Sequence, residues 1–316
     1  MIGSISTRVA LAAAACVFAM ACGAGGGDLA RTCKTPGGKI TRGPYEVQND
    51  TSGNTEAALP AHPVTNFTQC ASLGAGSTTQ TVNASWSWTW PHQSDPDERI
   101  VRATPSIIYG FYPWNEWSTT PQLPRRVGEV QWLRVDAASV DQAVSDGSVG
   151  RVAVKVYLTE FDVKPAGEDA LLVRGTISVF VNDYPPRAPG GTAVQLGGVD
   201  YDLFAYGSTL LYYRRPDLDT PVTALHLDLA DFLADGVARG ALEPAWWVAS
   251  VSTGPIVYEG SGALALEDYQ VVLGAGSLPV RRAISVTTEG SGTAWTEGTG
   301  GVGLTGHGVG VQPAAP

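Results

Sequence analysis

From Gln80 to Trp90 the chain alternates. Val82, Ala84, Trp86, Trp88 and Trp90 share one face, and Asn83, Ser85, Ser87 and Thr89 share the other. A period of two is that of a β-strand with one face covered. Arg151–Phe161 repeats the pattern, with Val152, Val154, Val156 and Leu158 together. Leu172–Asn182 does so again: Val173, Ile177, Val179 and Val181 lie opposite Arg174, Thr176, Ser178 and Phe180. Shorter strand-like runs follow at Val199–Tyr206, Leu210–Arg214, Trp246–Thr253 and Tyr269–Leu273. Strands at this spacing with turn residues between them predict a sandwich or barrel. A single helix interrupts them. Asp228 is its expected N-cap, Leu227 and Phe232 form a hydrophobic staple, and Leu229, Phe232, Leu233 and Val237 follow helical spacing. Gly240 is placed to end it.

Composition agrees with an all-β chain. There are 38 Gly and 21 Pro among 316 residues, and 44% of residues are hydrophobic, so a sizeable core is expected and wholesale disorder is not. Only 16% are charged, and the net charge is −10. That sign offers no long-range attraction to nucleic acid, which is excluded as an expected partner.

The two ends differ from the middle. Residues 1–21 read as a signal peptide: Arg8 precedes an apolar run from Val9 to Cys22 that is too short to span a bilayer. Ala19 and Ala21 are small residues at −3 and −1 of a cleavage point, and Cys22 follows at once. The arrangement resembles a bacterial lipobox, with Ala19 where Leu is usual. It makes Cys22 the expected lipidation site and 22–32 a tether. The expected location is outside the cytoplasm, secreted or lipid-anchored at a bacterial cell envelope, with membrane contact through the lipid alone. Once the signal and its Cys16 are removed, Cys22, Cys33 and Cys70 remain. With Cys22 lipidated, Cys33 and Cys70 are left to pair as a disulfide. The segment 33–276 is patterned as one domain, expected to be monomeric. The Gly-rich stretch 277–316 reads as a flexible tail in which Ile284 and Val286 could add a strand.

Candidate chemistry is sparse. Four His (62, 92, 226 and 307) lack metal-ligand spacing, so no metal or other cofactor is expected. No nucleophile elbow or phosphate-binding loop precedes a helix. The concentrated feature is aromatic: Trp86, Trp88, Trp90, Tyr109, Phe111, Tyr112, Trp114 and Trp117 fall in a short span. Aromatic faces suit the C–H faces of pyranose rings, and they equally suit a sandwich core.

Several segments in order resemble glycoside hydrolase family 12, the endo-β-1,4-glucanases and xyloglucanases. They are Tyr45-Glu-Val-Gln-Asn-Asp-Thr-Ser-Gly53 followed by Gln69-Cys70, Ser87-Trp-Thr-Trp90, Pro105-Ser-Ile-Ile-Tyr-Gly110, Gly198-Val-Asp-Tyr-Asp-Leu203, Asp228-Leu-Ala-Asp-Phe-Leu233, and Val251-Ser-Thr-Gly254 through Tyr258-Glu-Gly260. The likeness covers about Cys33 to Leu273. It implies a jelly roll of two stacked antiparallel sheets, with one short helix and a concave cleft for glycan.

The departures lie at the chemistry. Thr176 takes the place of the family's nucleophile Glu, Ile256 that of its acid/base Glu, and Lys155 that of the Asp supporting the nucleophile. Ser52 stands where the N-terminal motif has Trp. Retaining hydrolysis needs two carboxylates about 5–5.5 Å apart, and neither Thr nor Ile can replace one. Glu259, three residues past Ile256, is expected on the other face of its strand, and Glu160, Glu129 and Asp162 are carboxylates off the motif, expected as rim or turn charges. Three readings follow. The first is a non-catalytic relative that binds β-glucan through Trp88, Trp90, Tyr112, Trp114 and Phe180, with Thr176 and Ser178 on the floor. The second is an active β-glucanase with relocated carboxylates. The third is a structural or interaction module, whose mark would be a filled groove with Trp88, Trp90 and Phe180 packed.

Overall fold

The computed structural model describes residues 28–33, 37–54, 64–93, 100–168, 170–186, 190–215 and 221–275. The signal segment, Cys22 and the tail after Ser277 lie outside the described residues.

Strands β1 (Asp28–Cys33), β2 (Gly38–Arg42), β3 (Tyr45–Asn49), β4 (Thr68–Gly74), β5 (Val82–Trp90) and β6 (Ser106–Gly110) open the chain. They are followed by β7 (Arg125–Arg126), β8 (Val130–Ala137), β9 (Ser139–Val144), β10 (Val149–Thr159) and β11 (Val173–Tyr184). Then come β12 (Thr192–Leu196), β13 (Val199–Tyr206), β14 (Thr209–Arg214), β15 (Leu225–Asp228), helix α1 (Leu229–Ala238) and β16 (Trp247–Ala275). The chain is a β-jelly roll. The larger sheet runs β2-β3-β6-β16-β10-β11-β14-β13-β12. In the second, β1-β4-β5 leads to β16, whose other side carries β9, and β8 pairs β16 further along. Neighbours are antiparallel except β11 and β14, which pair in parallel.

The two runs Trp246–Thr253 and Tyr269–Leu273 are parts of one strand. The first part of β16 pairs β6 and β10, and the part after Gly260 pairs β5, β9 and β8. Gly260 allows the switch between sheets. Its φ is +84°, and a Cβ there would come within 2.3 Å of Ser148 Oγ. Residues 28–32, expected as tether, instead form most of β1 and pair β4, with Cys33 opposite Cys70 and disulfide-bonded to it.

The core lies between the sheets. Trp86, Trp90, Tyr45, Tyr201, Tyr212, Tyr269, Ile107 and Leu158 are among its largest fully buried side chains. On β10 and β11 the inward residues are those the alternation predicts: Val152, Val154, Val156 and Leu158, then Ile177, Val179 and Val181. Helix α1 starts where expected, with the Asp228 carboxylate accepting from Ala230 N–H (3.1 Å) and also from Leu133 N–H (3.0 Å). Phe232 meets Tyr201 and Tyr212 edge to face, which docks the helix on the inner face of the larger sheet.

Candidate functional site

The ladders of β16, β10 and β11 place every sequence-predicted floor residue, because alternate residues share the outward face of the larger sheet. One rung joins Ser250, Tyr157 and Thr176. The next outward rung joins Ser252, Lys155 and Ser178, the next Gly254, Ala153 and Phe180, and the last pairs Ile256 with Arg151. Thr176 and Ile256 are therefore not brought together. Six residues of strand separate their rungs, roughly 20 Å at 3.3 Å per residue. Lys155 lies between them, one rung from Thr176.

One end of this face is apolar and closed. Ile256, Phe180, Leu211, Tyr213, Tyr258 and Ala153 form a cluster separate from the main core. Phe180 and Tyr213 stack at 4.3 Å, and the Arg151 guanidinium lies over Phe180, Tyr213 and Tyr258. Arg151 is fixed there by Asp183 Oδ1 and Tyr213 OH, each at 3.0 Å. Phe180 is only 1% exposed, so it offers no open ring to a sugar. Trp88 and Trp90, also expected as platforms, are 7% and 1% exposed and belong to the inter-sheet core. Trp90 is stacked on Phe67 at 3.9 Å and donates to Gln69 Oε1. The alternation of β5 was read correctly; the face it buries points inward.

The other end is polar and open. Tyr112, Tyr157, Lys155, Ser106, Ser252 and Thr104 line a depression there, and Pro255 and Ile256 close it on the side of the apolar cluster. Tyr112, Trp114 and Tyr157 pack mutually, with centroids 5.0–5.5 Å apart. Trp114 and Trp117 are 48% and 63% exposed, the open aromatic surface of this region. Burial lowers the Lys155 ammonium to about 8, against a smaller opposing pull from Asp50. Burial raises Tyr157 to about 12 and Tyr112 well above the ordinary phenol value, so both remain protonated donors at neutral pH.

The nearby carboxylates are engaged. Glu46 accepts from Asn115 (3.1 Å) and Gln48 and pairs with Lys39 at 3.3 Å. Asp50 accepts from Ser52 N–H and Thr104 Oγ, both at 2.8 Å. Glu259 is buried, accepts from Gln93 N–H and lies 3.9 Å from His92. Glu160 pairs with Arg174, Glu129 with Arg125, and Asp162 is exposed. Among the described residues no group of three His, Cys, Asp or Glu could hold a metal ion. Sequence reasoning missed Tyr157 and Asp50. Tyr157 was detectable, since it stands two residues beyond Lys155 on the same strand face.

No family model and no curated protein matches this sequence. Solved structures do. The fold is that of the family 12 glycoside hydrolases. A family 12 xyloglucanase from Bacillus licheniformis, solved with ligand, superposes with a TM-score of 0.61 at 19% identity over 77% of this chain and 99% of its own. A metagenome-derived family 12 endoglucanase gives 0.59 at 25% identity, over 78% and 98%. The catalytic domain of a Humicola grisea enzyme, solved with a thio cellotetraose, gives 0.60 at 18%, over 78% and 100%. At these identities the likeness shows the fold.

Proposed function

We propose that this protein is a non-catalytic relative of the family 12 hydrolases that binds a β-glucan-type polysaccharide at the open end of the larger sheet. The observation that carries this reading is that the carboxylates bordering the open end are engaged by structural partners and none faces it as a pair; Thr176 and Ile256, which the resemblance takes together as the nucleophile and acid/base positions, lie too far apart for both to hold those places. A retaining site needs carboxylates about 5–5.5 Å apart and an inverting site about 6.5–9.5 Å. Glu46 and Asp50 border the polar end, but four residues of extended chain separate them, about 13 Å. Asp50 spends both oxygens on Ser52 and Thr104, and Glu46 is held through Oε1 by Asn115, Gln48 and Lys39. The exposed ring of Trp114, packed on the Tyr112 and Tyr157 phenols, supports the binding half; Thr176 stands beside Tyr157 on its rung, and Ser178 beside Lys155 is buried. A neighbour with this fold was solved with a cello-oligosaccharide.

The N-terminal pattern supports export, and Cys22 supports a lipid anchor on a monomeric domain. Incorporation of a fatty-acid probe that is abolished by Cys22→Ser tests the anchor. The main test is paired. Affinity electrophoresis on xyloglucan and mixed-linkage β-glucan is expected to retard the protein, and reducing-end release from the same polymers is expected to be nil. Sustained release, lost when Glu46 or Asp50 becomes Gln or Asn, would restore the enzyme reading. A second reading, a structural or interaction module, is favoured by the packing of Trp88, Trp90 and Phe180, and a protein retarded by no glycan would support it.

A further inference from the structure

We infer that the polar end of the sheet is built for an acidic sugar, a pyranose bearing a carboxylate, with Lys155 as the group that meets the charge. The inference rests on the glycan-binding reading and specifies its ligand.

The rungs make the depression. Lys155 stands on the middle strand with Ser178 and Ser252 on either side, and Ala153 and Gly254 occupy the next rung. Small neighbours leave space around a long side chain, so the ammonium sits in a recess that no larger residue on its rung fills. Tyr157, two residues along the strand, and Tyr112 from the adjoining loop face the same recess. Trp114 packs against both phenols while remaining half exposed, which leaves ring surface for the apolar side of a sugar.

The charge of the recess is incompletely balanced. No ion pair or hydrogen bond engages the Lys155 ammonium among the described residues. Asp50 is the carboxylate that acts on it, and both Asp50 oxygens already accept from Ser52 and Thr104. Glu46, which faces Tyr112, is neutralised by Lys39 and held by Asn115 and Gln48. The phenols of Tyr112 and Tyr157 are neutral donors. A neutral glucan brings only hydroxyls to a desolvated ammonium. A carboxylate brings a charge-assisted hydrogen bond, roughly twice as strong, and acceptors for the phenols. The net charge of −10 does not decide the matter, because fields from distant surface charges are screened beyond about 8 Å at physiological ionic strength.

The test compares polymers that share a backbone: a soluble neutral β-1,4-glucan, the same backbone oxidised at C6 to a polyglucuronate, and a cellulose sulfate. Affinity electrophoresis or calorimetry at pH 7 is expected to show the polyglucuronate bound about tenfold to a hundredfold tighter than the neutral chain. Lys155→Met is expected to erase that preference, so that the two polymers bind alike. The wild-type preference is also expected to shrink between pH 7 and 9.5 as Lys155 loses its proton. Circular dichroism confirms that the variant is folded. Equal binding of neutral and oxidised chains by the wild type would overturn the inference and leave glycan binding standing. So would cellulose sulfate bound as tightly as the polyglucuronate, with both unaffected by Lys155→Met. Binding of none of the three polymers would overturn the glycan-binding reading itself, and this inference with it.

Discussion

Replacing Lys155 with Met should make the protein more stable at neutral pH, and the gain should disappear in alkali. The ammonium sits in a recess that lowers its proton affinity from the ordinary 10.5 to about 8, chiefly by removing water. At about 1.4 kcal/mol per pH unit, that interval corresponds to about 3–4 kcal/mol by which the folded state disfavours the charged form. Partial access to solvent and relaxation around the amine reduce it, so about 2 kcal/mol is the working expectation. The sign follows from linkage. Below pH 8 both folded and unfolded states carry the proton, and the full cost is present. Between about 8 and 10.5 the unfolded state binds more protons than the folded one, so wild-type stability rises with pH relative to the variant. Methionine keeps the apolar stem and drops the charge. Urea unfolding of both proteins at pH 7, 8, 9 and 9.5 reads the difference directly. The series stops there because buried phenols such as Tyr45, raised to about 12, begin to unbalance the unfolded state near pH 10. A difference that stays flat from pH 7 to 9.5, or a variant less stable than wild type at pH 7, would refute the argument. Either result would mean that the ammonium has a partner strong enough to compensate it. A residue that costs stability in the unliganded protein and sits in a recess is what binding sites commonly contain.

Other expectations follow from the same geometry. Placing carboxylates at both positions that the sequence resemblance assigns, Thr176→Glu with Ile256→Glu, should not create hydrolysis, because their rungs are about 20 Å apart by strand rise and cannot form the required pair; reducing-end release on xyloglucan checks it. Removing the disulfide as Cys33→Ala with Cys70→Ala frees a loop spanning 37 residues and should cost about 3–4 kcal/mol, read as a lowered urea midpoint. Asp235 is buried and accepts from Tyr212 OH at 2.8 Å and Arg239 Nε at 2.7 Å. Asp235→Ala leaves both donors without that acceptor and should cost about 3 kcal/mol in thermal or urea unfolding, with glycan binding at the opposite face unchanged.

Much of the fold was legible because alternation survives in the strands that cover one face of the core. β5, β10, β11, β13 and β14 fall on the predicted runs, and Asp228 caps the helix as expected. The long β16 was read as two strands because Gly254, Pro255, Gly260 and Gly262 look like turn punctuation. Two of these glycines serve close packing instead. A Cβ at Gly254 would come within 2.2 Å of Pro105 O, and one at Gly262 within 2.4 Å of the Trp88 ring. Glycine demanded by a neighbouring strand or ring cannot be told from glycine demanded by a turn without knowing what lies across the sheet.

The site was less legible for a related reason. Period two assigns residues to a face but does not name the face or say what happens along it. Trp86, Trp88 and Trp90 were correctly grouped, yet the pattern allowed either the core or a sugar surface, and the inter-sheet layer claimed all three. Thr176, Ser178 and Phe180 were correctly placed opposite the apolar side, where the simplest expectation is uniform polarity. The observed face is divided. Toward Ile256 it carries its own apolar layer capped by Arg151, and toward Tyr157 it opens into the polar recess. That division arises from side chains on β10, β11, β14 and β16 meeting across rungs, which no single strand encodes. Lys155 shows the limit most clearly. In sequence it registers only as a missing aspartate, whereas on its rung, between two serines, it becomes a desolvated charge lining the depression at the open end.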